Sequence, residues 1–312
     1  MRAVITGAGG FIGNRLTKHL KDLGWHVRGV DVKYPEFNKP YTDDFILHDL
    51  RYPAPNIFKN CDDVYHLAAD MGGIGYIETH KSNIVWNNTM MNMLVLKACQ
   101  ELEVRRFFFS SSACIYPTHL QQHNAPFLKE EQAYPAFAED GYGWEKLMFE
   151  RTCRHFAEDY NMDIKVARFH NIYGEYGTYD GGREKSPAAL CRKVAKATDS
   201  IEIWGTGHQT RSYCHVDDCV EGIYRLMNSN HHEPINLGTD RLISINDLAD
   251  MIIEMSGKKL TKNFDIAKPQ GVHGRNADIT KAKQVLGWEP KVTLEDGMER
   301  LYKWICAQIY QS

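Results

Sequence analysis

No run of apolar residues in this 312-residue chain approaches the roughly 18 needed to span a bilayer. Charge of one sign is also missing. Thirty-seven basic against 40 acidic side chains leave a net charge of -3, which is no footprint for nucleic acid or an anionic membrane. The eight cysteines (Cys61, Cys99, Cys114, Cys153, Cys191, Cys214, Cys219, Cys306) include no CxxC and no paired spacing. Neither a disulfide framework nor a metal site is expected from them. Internal repeats and low-complexity segments are lacking too, which excludes solenoids. The opening stretch, one arginine and then Ala3-Val4-Ile5, is too short for a secretory leader. The expectation is a cytoplasmic protein with neither nucleic acid nor membrane as partner. Its composition, 43% hydrophobic and 25% charged, is that of an ordinary globular chain, long enough for one large or two modest domains.

What the chain does have is alternation. Strand-like apolar runs at 2–6, 26–31, 44–48, 63–67, 106–110 and 164–169 are interleaved with helical spacing at 11–23, 83–101 and 143–160. In the first helix Phe11, Ile12, Leu16, Leu20 and Leu23 share a face, and in the second Met, Leu and Val do. Such order predicts an α/β fold with a doubly wound parallel sheet. Past 169 the pattern loosens into Gly-rich loops, with helices near 186–197, 217–228, 245–256 and 292–310. We read 1–169 as a nucleotide-binding domain and 170–312 as a smaller α/β substrate lobe. The chain is expected to return to the first domain around 213–240.

Gly7, Gly10 and Gly13 fall between the first strand and the first helix in the spacing GxxGxxG. Glycines there allow a tight turn, close backbone approach to a diphosphate, and close helix–sheet packing. Gly7, Gly10, Phe11, Ile12 and Gly13 are therefore candidate dinucleotide contacts. Asp31 ends the second strand, where a carboxylate can accept the adenosine ribose hydroxyls and repel a 2′-phosphate, favouring NAD over NADP. Lys33 nearby leaves room for the phosphate. Asp49 and Leu50, after the third strand, are candidate adenine contacts, and Asp49 reads equally well as a loop-capping acid.

Tyr142 and Lys146 stand four apart, on one face of a helix. An ammonium beside a phenol is expected to lower its pKa from about 10, so that Tyr142 can take a hydroxyl proton as hydride leaves for nicotinamide. Ser110-Ser111-Ser112 follows a strand upstream, and Ser112 can orient the substrate oxygen. Strand, serine and YxxxK arrive in the order such an oxidation needs.

With His66-Leu67-Ala68-Ala69 and Asn171-Ile172-Tyr173-Gly174 added, the chain resembles the extended short-chain dehydrogenase/reductase family over nearly its whole length. That resemblance implies a Rossmann domain holding NAD(P), with Ala68 beside it, and a C-terminal lobe for a nucleotide sugar. It implies no single reaction. Where 4,6-dehydratases of the family carry an Asp-Glu pair, this chain has Ala113 and Cys114. Cys114 is then either a small buried hydrophobe or a proton carrier at the sugar ring. Lys185, in Gly181-Gly182-Arg183-Glu184-Lys185, is either a solvated helix-start lysine or the partner of Cys114.

Six longer motifs resemble the branch of that family that inverts carbons 3 and 5 of GDP-mannose. They are Ser112–Pro117, Ala69–Gly73, Gly181–Lys185, Arg168–Gly174, Gln209–Ser212 and Gly271–Asn276. This resemblance implies GDP-α-D-mannose as substrate, GDP-β-L-galactose as product and GDP-L-gulose as a side product. It makes Cys114 the base and Lys185 the acid. It puts Arg211 and Arg275 on the diphosphate, with Lys193 as a weaker candidate. Gly72, Gly73, Asn171, Glu184 and Gln209 become sugar-nucleotide contacts. A homodimer through the helices at 83–101 and 143–160 is implied as well. Two rival readings remain open: a GDP-4-keto-6-deoxymannose epimerase-reductase, which pairs its cysteine with a histidine and consumes NADPH, and a non-catalytic NAD sensor on the same fold.

Overall fold

The computed structural model describes residues 1–122 and 127–310. The alternation opens with β1 (Arg2–Thr6), α1 (Phe11–Asp22), β2 (His26–Asp31), β3 (Asp44–Leu47) and β4 (Asp63–His66). It continues through α2 (Ile74–Thr79), α3 (Lys81–Glu101), β5 (Arg106–Ser112), α4 (Asp140–Tyr160) and β6 (Asp163–Phe169). Next come β7 (Ile172–Tyr173), α5 (Ser186–Lys196), β8 (Ser200–Trp204), β9 (Thr210–Ser212), β10 (Cys214–His215), α6 (Val216–Met227) and β11 (Ile235–Leu237). The chain then forms β12 (Leu242–Ser244), α7 (Ile245–Ser256), β13 (Thr261–Asp265), β14 (Gly274–Arg275), α8 (Thr280–Leu286) and α9 (Leu294–Tyr310).

Seven strands make one sheet in the order β11-β6-β5-β4-β1-β2-β3, and every pairing in it is parallel. A parallel sheet is covered on both faces, so its central strands read as unbroken apolar runs. Phe107, Phe108 and Phe109 of β5 are all fully buried, each contributing roughly 2–3 kcal/mol. Their side chains alternate between faces. Phe108 joins the core shared with α1 and α6, while Phe107 and Phe109 join the one beneath α3 and α4. α1 presents Gly13, Leu16, Thr17 and Leu20 inward at helical spacing and stops at Gly24, whose φ of +79° ends the turn.

The strand order reverses between β1 and β4, and a crevice opens there beyond the carboxyl ends of the strands. From the second half, β11 adds to the far edge beside β6, and α6 packs against α1. Outside the sheet lie β12-β9-β14 and the β13-β8 pair, and β8 and β12 share a separate core with α5, α7 and α9, built on Leu190, Val194, Leu248, Ile252, Met298 and Leu301.

Two sequence expectations need correction. The serine run does not follow β5 but ends it, because Ser110, Ser111 and Ser112 pair with Ala167, Arg168 and Phe169 of β6. The buried face of α3 is not purely apolar, since Ile84, Asn88, Asn92, Val95 and Cys99 line it.

Candidate active site

A cleft of about 610 Å³ lies at the strand-order reversal, and Gly7, Gly10, Phe11, Ile12, Gly13, Asp31, Asp49, Leu50 and Ala68 line it. Its floor depends on missing side chains. Gly7 has φ +75°, and a Cβ there would stand 2.8 Å from the Ala68 nitrogen. One on Gly13 would collide with the Gly7 carbonyl. The backbone N–H groups that open α1 have no helical acceptor and sit at this wall, a cradle suited to a diphosphate. Asp31 is fixed at the far end, accepting the Gly9 N–H at 3.0 Å and the Val32 N–H at 2.7 Å. Burial pushes its pKa up, against those backbone donors. Arg51 holds Asp49 at 2.6 Å and lowers its pKa, so this acid keeps a local partner while also lining the cleft. The residues present fit a dinucleotide.

Ser112, Tyr142, Lys146 and Lys185 line the same cleft. The Ser112 hydroxyl accepts the Cys114 N–H at 3.2 Å, which starts a short turn and fixes the sulfur two residues past the strand. α4 carries Tyr142 and Lys146, both buried. Lys146 Nζ donates to the Ser110 carbonyl at 3.1 Å and lies 5.7 Å from the Tyr142 ring centre. Burial pushes the Tyr142 phenol up, and the acidic side chains of Cys114 and Glu145 nearby add to it, while Ser112 opposes them. This corrects the expectation that Lys146 alone would hold the phenol down. The lysine is itself starved of water, so burial lowers its pKa and Glu145 partly restores it.

A buried polar chain behind Lys146 was not read from the sequence. Thr6 meets His66 at 2.7 Å, and His66 meets Asn92 at 2.8 Å. Asn92 donates to Glu145 at 2.5 Å, Asn88 donates to its other oxygen at 3.2 Å, and Asn88 accepts the Asp70 N–H at 2.7 Å. Burial drives His66 down to about 3, so it is neutral. The one signal was two asparagines four apart on an otherwise apolar helix face.

Cys114 acts electrostatically on Lys185, and burial is the main force on both. It pushes the thiol up, reinforced by Glu139 and opposed by Arg275, and it pulls the ammonium down. Lys185 stands at the N-cap of α5, on a loop tied across the cleft mouth. The Gly73 N–H donates to the Arg183 carbonyl at 3.0 Å, and Arg183 Nη1 meets Asp70 at 3.1 Å. Glu184 is committed within its own segment, accepting from Arg192 at 2.8 Å and from the Gly182 N–H at 2.7 Å.

The remaining candidate residues sit around this centre rather than in the lining of the cleft. Gly72 abuts the Tyr76 side chain. Asn171, at φ +43°, donates to the Ser212 carbonyl at 2.9 Å. Lys193 donates to the Glu202 carbonyl at 2.8 Å, and Gln209 to the Trp204 carbonyl at 2.9 Å. Arg211 caps the Thr210 and Gln270 carbonyls, and burial with the Arg275 charge brings it down to about 10. The Arg275 guanidinium spans Gln121, Cys114 and Glu139. Glu139 and Gly143 are further residues that sequence reasoning passed over.

A family model described as NAD dependent epimerase/dehydratase family matches residues 3–238. The chain is 44% identical to GDP-mannose 3,5-epimerase 1 of Oryza sativa subsp. indica, covering 99% of this chain and 82% of that protein. It is 43% identical to GDP-mannose 3,5-epimerase of Arabidopsis thaliana, over 99% and 83%. Among solved structures, the UDP-glucuronic acid 4-epimerase of Bacillus cereus, in complex with UDP-glucuronic acid and NAD, superposes with a TM-score of 0.86. It is 28% identical, over 99% of this chain and all of that one.

Proposed function

The chain belongs to the NAD dependent epimerase/dehydratase family, and from that membership we propose that it is a GDP-mannose 3,5-epimerase, converting GDP-α-D-mannose to GDP-β-L-galactose. The observation that carries the reading is the meeting of Ser112, Tyr142, Lys146 and Lys185 at one cleft, with Cys114 held against it through its N–H on the Ser112 hydroxyl, in a chain 44% identical to the rice enzyme. GDP-L-gulose is the product of inversion at carbon 5 alone.

Protons on carbons 3 and 5 of a hexose are not acidic until carbon 4 becomes a ketone. NAD, when bound, would supply reversible hydride transfer at carbon 4. Gly7, Gly10, Phe11, Ile12, Gly13, Asp31, Asp49, Leu50 and Ala68 would hold it. Ser112 orients the carbon 4 oxygen, Tyr142 takes its proton, and the Lys146 charge supports the phenolate. Cys114 then removes the proton beside the new carbonyl, and Lys185, its affinity for protons weakened by burial, delivers one to the opposite face. Inversion needs such a pair, one group on each side of the ring. Arg211, Arg275 and Lys193 bring positive charge to the nucleotide diphosphate, and Gly72, Gly73, Asn171, Glu184 and Gln209 shape the sugar-nucleotide end. On this reading residues 1–169, with the returning segment near 213–240, hold NAD, and 170–312 hold the nucleotide sugar.

The active form is a homodimer. α3 leaves Val85, Trp86 and Met93 exposed beside Trp144 and Met148 of α4, with Trp86 at 66%. These helices pack on one another, so the residues form an apolar face that a second copy can cover. The eight free cysteines suit a reducing compartment, and the cytoplasm is the proposed location.

Incubation with GDP-mannose in deuterated water, without added cofactor, tests the function. NMR should show deuterium at carbons 3 and 5 and new GDP-hexose signals, and Cys114→Ala or Lys185→Ala should abolish both. Protein that contains NAD yet exchanges no hydrogen would exclude this substrate.

A further inference from the structure

One side chain at the reaction centre has no part in that scheme. Glu139 is the N-cap of α4, and its N–H donates to the Cys114 carbonyl at 2.8 Å. This ties the helix start to the turn that carries the sulfur. Arg275 reaches in from β14. Its Nη1 lies 3.5 Å from Cys114 Sγ, its Nη2 binds the Glu139 carboxylate, and its Nε donates to Gln121 at 2.6 Å. One guanidinium thus holds a thiol and a carboxylate side by side. Each of the two groups acts on the other's proton affinity, and the carboxylate side chain keeps 18% of its surface open.

A buried thiol is a poor base, because the thiolate and not the thiol accepts protons. Burial would also push Glu139 up, but Arg275 outweighs it and keeps the carboxylate ionised. Arg275 therefore holds an uncharged sulfur beside a charged oxygen, the reverse of what carbon deprotonation at sulfur needs.

Resting on the epimerase reading above, we infer that Glu139 is the residue that lets Cys114 act as a base, by taking the thiol proton as the sulfur takes the one on carbon. The carbon–hydrogen bond breaks and its electron pair passes into the enolate. A new S–H bond forms while the old one breaks, and an O–H bond forms on Glu139. Sulfur ends as it began, and no electrons are exchanged with a redox partner. Arg275 stays beside the negative charge whether oxygen or sulfur carries it. The proton then leaves for water at the open edge of Glu139, while Lys185 supplies the opposite face. Glu139 acts through Cys114 and is a positioning residue for the proton, distinct from the groups that touch the sugar.

Glu139→Gln separates this role from simple support of Arg275, because the amide still accepts from the guanidinium but cannot take a proton. The NAD-loaded, full-length variants are mixed with GDP-mannose in deuterated water. Exchange at carbons 3 and 5 is followed by NMR, and oxidation at carbon 4 by the near-ultraviolet absorbance of the reduced cofactor. In Glu139→Gln, exchange should fall about 100-fold or more, the size of a general-base effect, while cofactor reduction and KM stay within about 3-fold. Adding Glu139→Gln to Cys114→Ala should cost nothing further.

Glu139→Asp keeps the charge but retracts it by one methylene. It should lose part of the exchange and none of the reduction, and it tests the same point should the amide variant fail to fold. Exchange and reduction falling together with a raised KM would reduce Glu139 to a support for Arg275 and overturn the inference. Wild-type exchange in Glu139→Gln would do the same. A wild-type protein that neither reduces its cofactor nor exchanges hydrogen with GDP-mannose overturns the substrate reading itself, and the inference with it.

Discussion

Gly143 lies flat against the carbonyl oxygen of Cys114, so close that any Cβ at this position would overlap it. The contact brings the first turn of α4 onto the turn after β5 and sets Tyr142 beside Ser112. Alanine would favour the helix by about 1 kcal/mol, but overpacking a closed site costs roughly 1–3 kcal/mol, so Gly143→Ala should destabilise slightly. Its effect on rate should be far larger. A displacement of about 1 Å at a reacting group costs on the order of 100-fold, and Tyr142 is the adjacent residue. Thermal melting and the rate of cofactor reduction check both. Wild-type reduction would mean that the Cys114 turn yields without moving the phenol.

That contact also marks where sequence reasoning reached its limit. Apolar runs such as Phe107–Phe109 and the period of α1 carry their own signature, because burial on both sheet faces or on one helix face shows locally. The glycine turn and Tyr142/Lys146 were readable because one element carries each. The partners of Cys114 were not. Glu139 lies 25 positions along the chain and Arg275 lies 161 along, and only the fold joins them. Asn88, Asn92 and Glu145 were missed for a related reason. On a helix wheel they break an apolar face, and their purpose appears only once Lys146 and His66 are placed behind them. The Tyr142 phenol was misjudged because spacing shows a nearby lysine but not the depth of burial.

Arg183 links two loops at the cleft mouth. Its guanidinium carbon stands 3.8 Å over the Tyr76 ring centre, and it meets Asp70 at 3.1 Å. Its side chain is 48% exposed, so the ion pair contributes within about 1 kcal/mol to stability. Lys185 lies two residues further on. Arg183→Ala should leave unfolding nearly unchanged and slow hydrogen exchange by roughly 10- to 100-fold through a misplaced ammonium. Denaturant titration beside the exchange assay separates the two. A large loss of stability would instead make this clasp structural.

Cofactor choice is predicted to rest on the charge of Asp31, at the end of β2. Its oxygens are held by the Gly9 and Val32 N–H groups, and Lys33 is paired only loosely, 3.7 Å from Glu36. Asp31→Ser removes the repulsion toward a 2′-phosphate and leaves Lys33 free to meet it. The cofactor extracted from this variant should be depleted in NAD, and added NADP should raise its exchange while leaving wild-type exchange unchanged. Chromatography of the extracted nucleotide reads the first effect. An unchanged NAD content would move the ribose contact elsewhere.

Acid should loosen the joint between α1, α6 and α9. Glu175 accepts from His215 at 3.0 Å and from Arg300 at 2.8 Å. Arg300 also reaches Asp217 at 2.9 Å, and Arg15 reaches the same acid at 2.5 Å. Burial alone would raise the Glu175 pKa, but these donors outweigh it and lower it from 4.5 to about 2. A carboxyl group depressed by folding stabilises the native state above its unfolded pKa, and the contribution drains away as pH falls through the folded value. The shift corresponds to roughly 3 kcal/mol. Glu175→Gln should therefore unfold more easily than wild type at neutral pH by about that order. The gap should narrow below pH 4.5 and close near about pH 2. Urea titrations across that range measure it directly. A gap that stays constant into acid would assign the stabilisation to packing of the Glu175 side chain, since only its charge can titrate away.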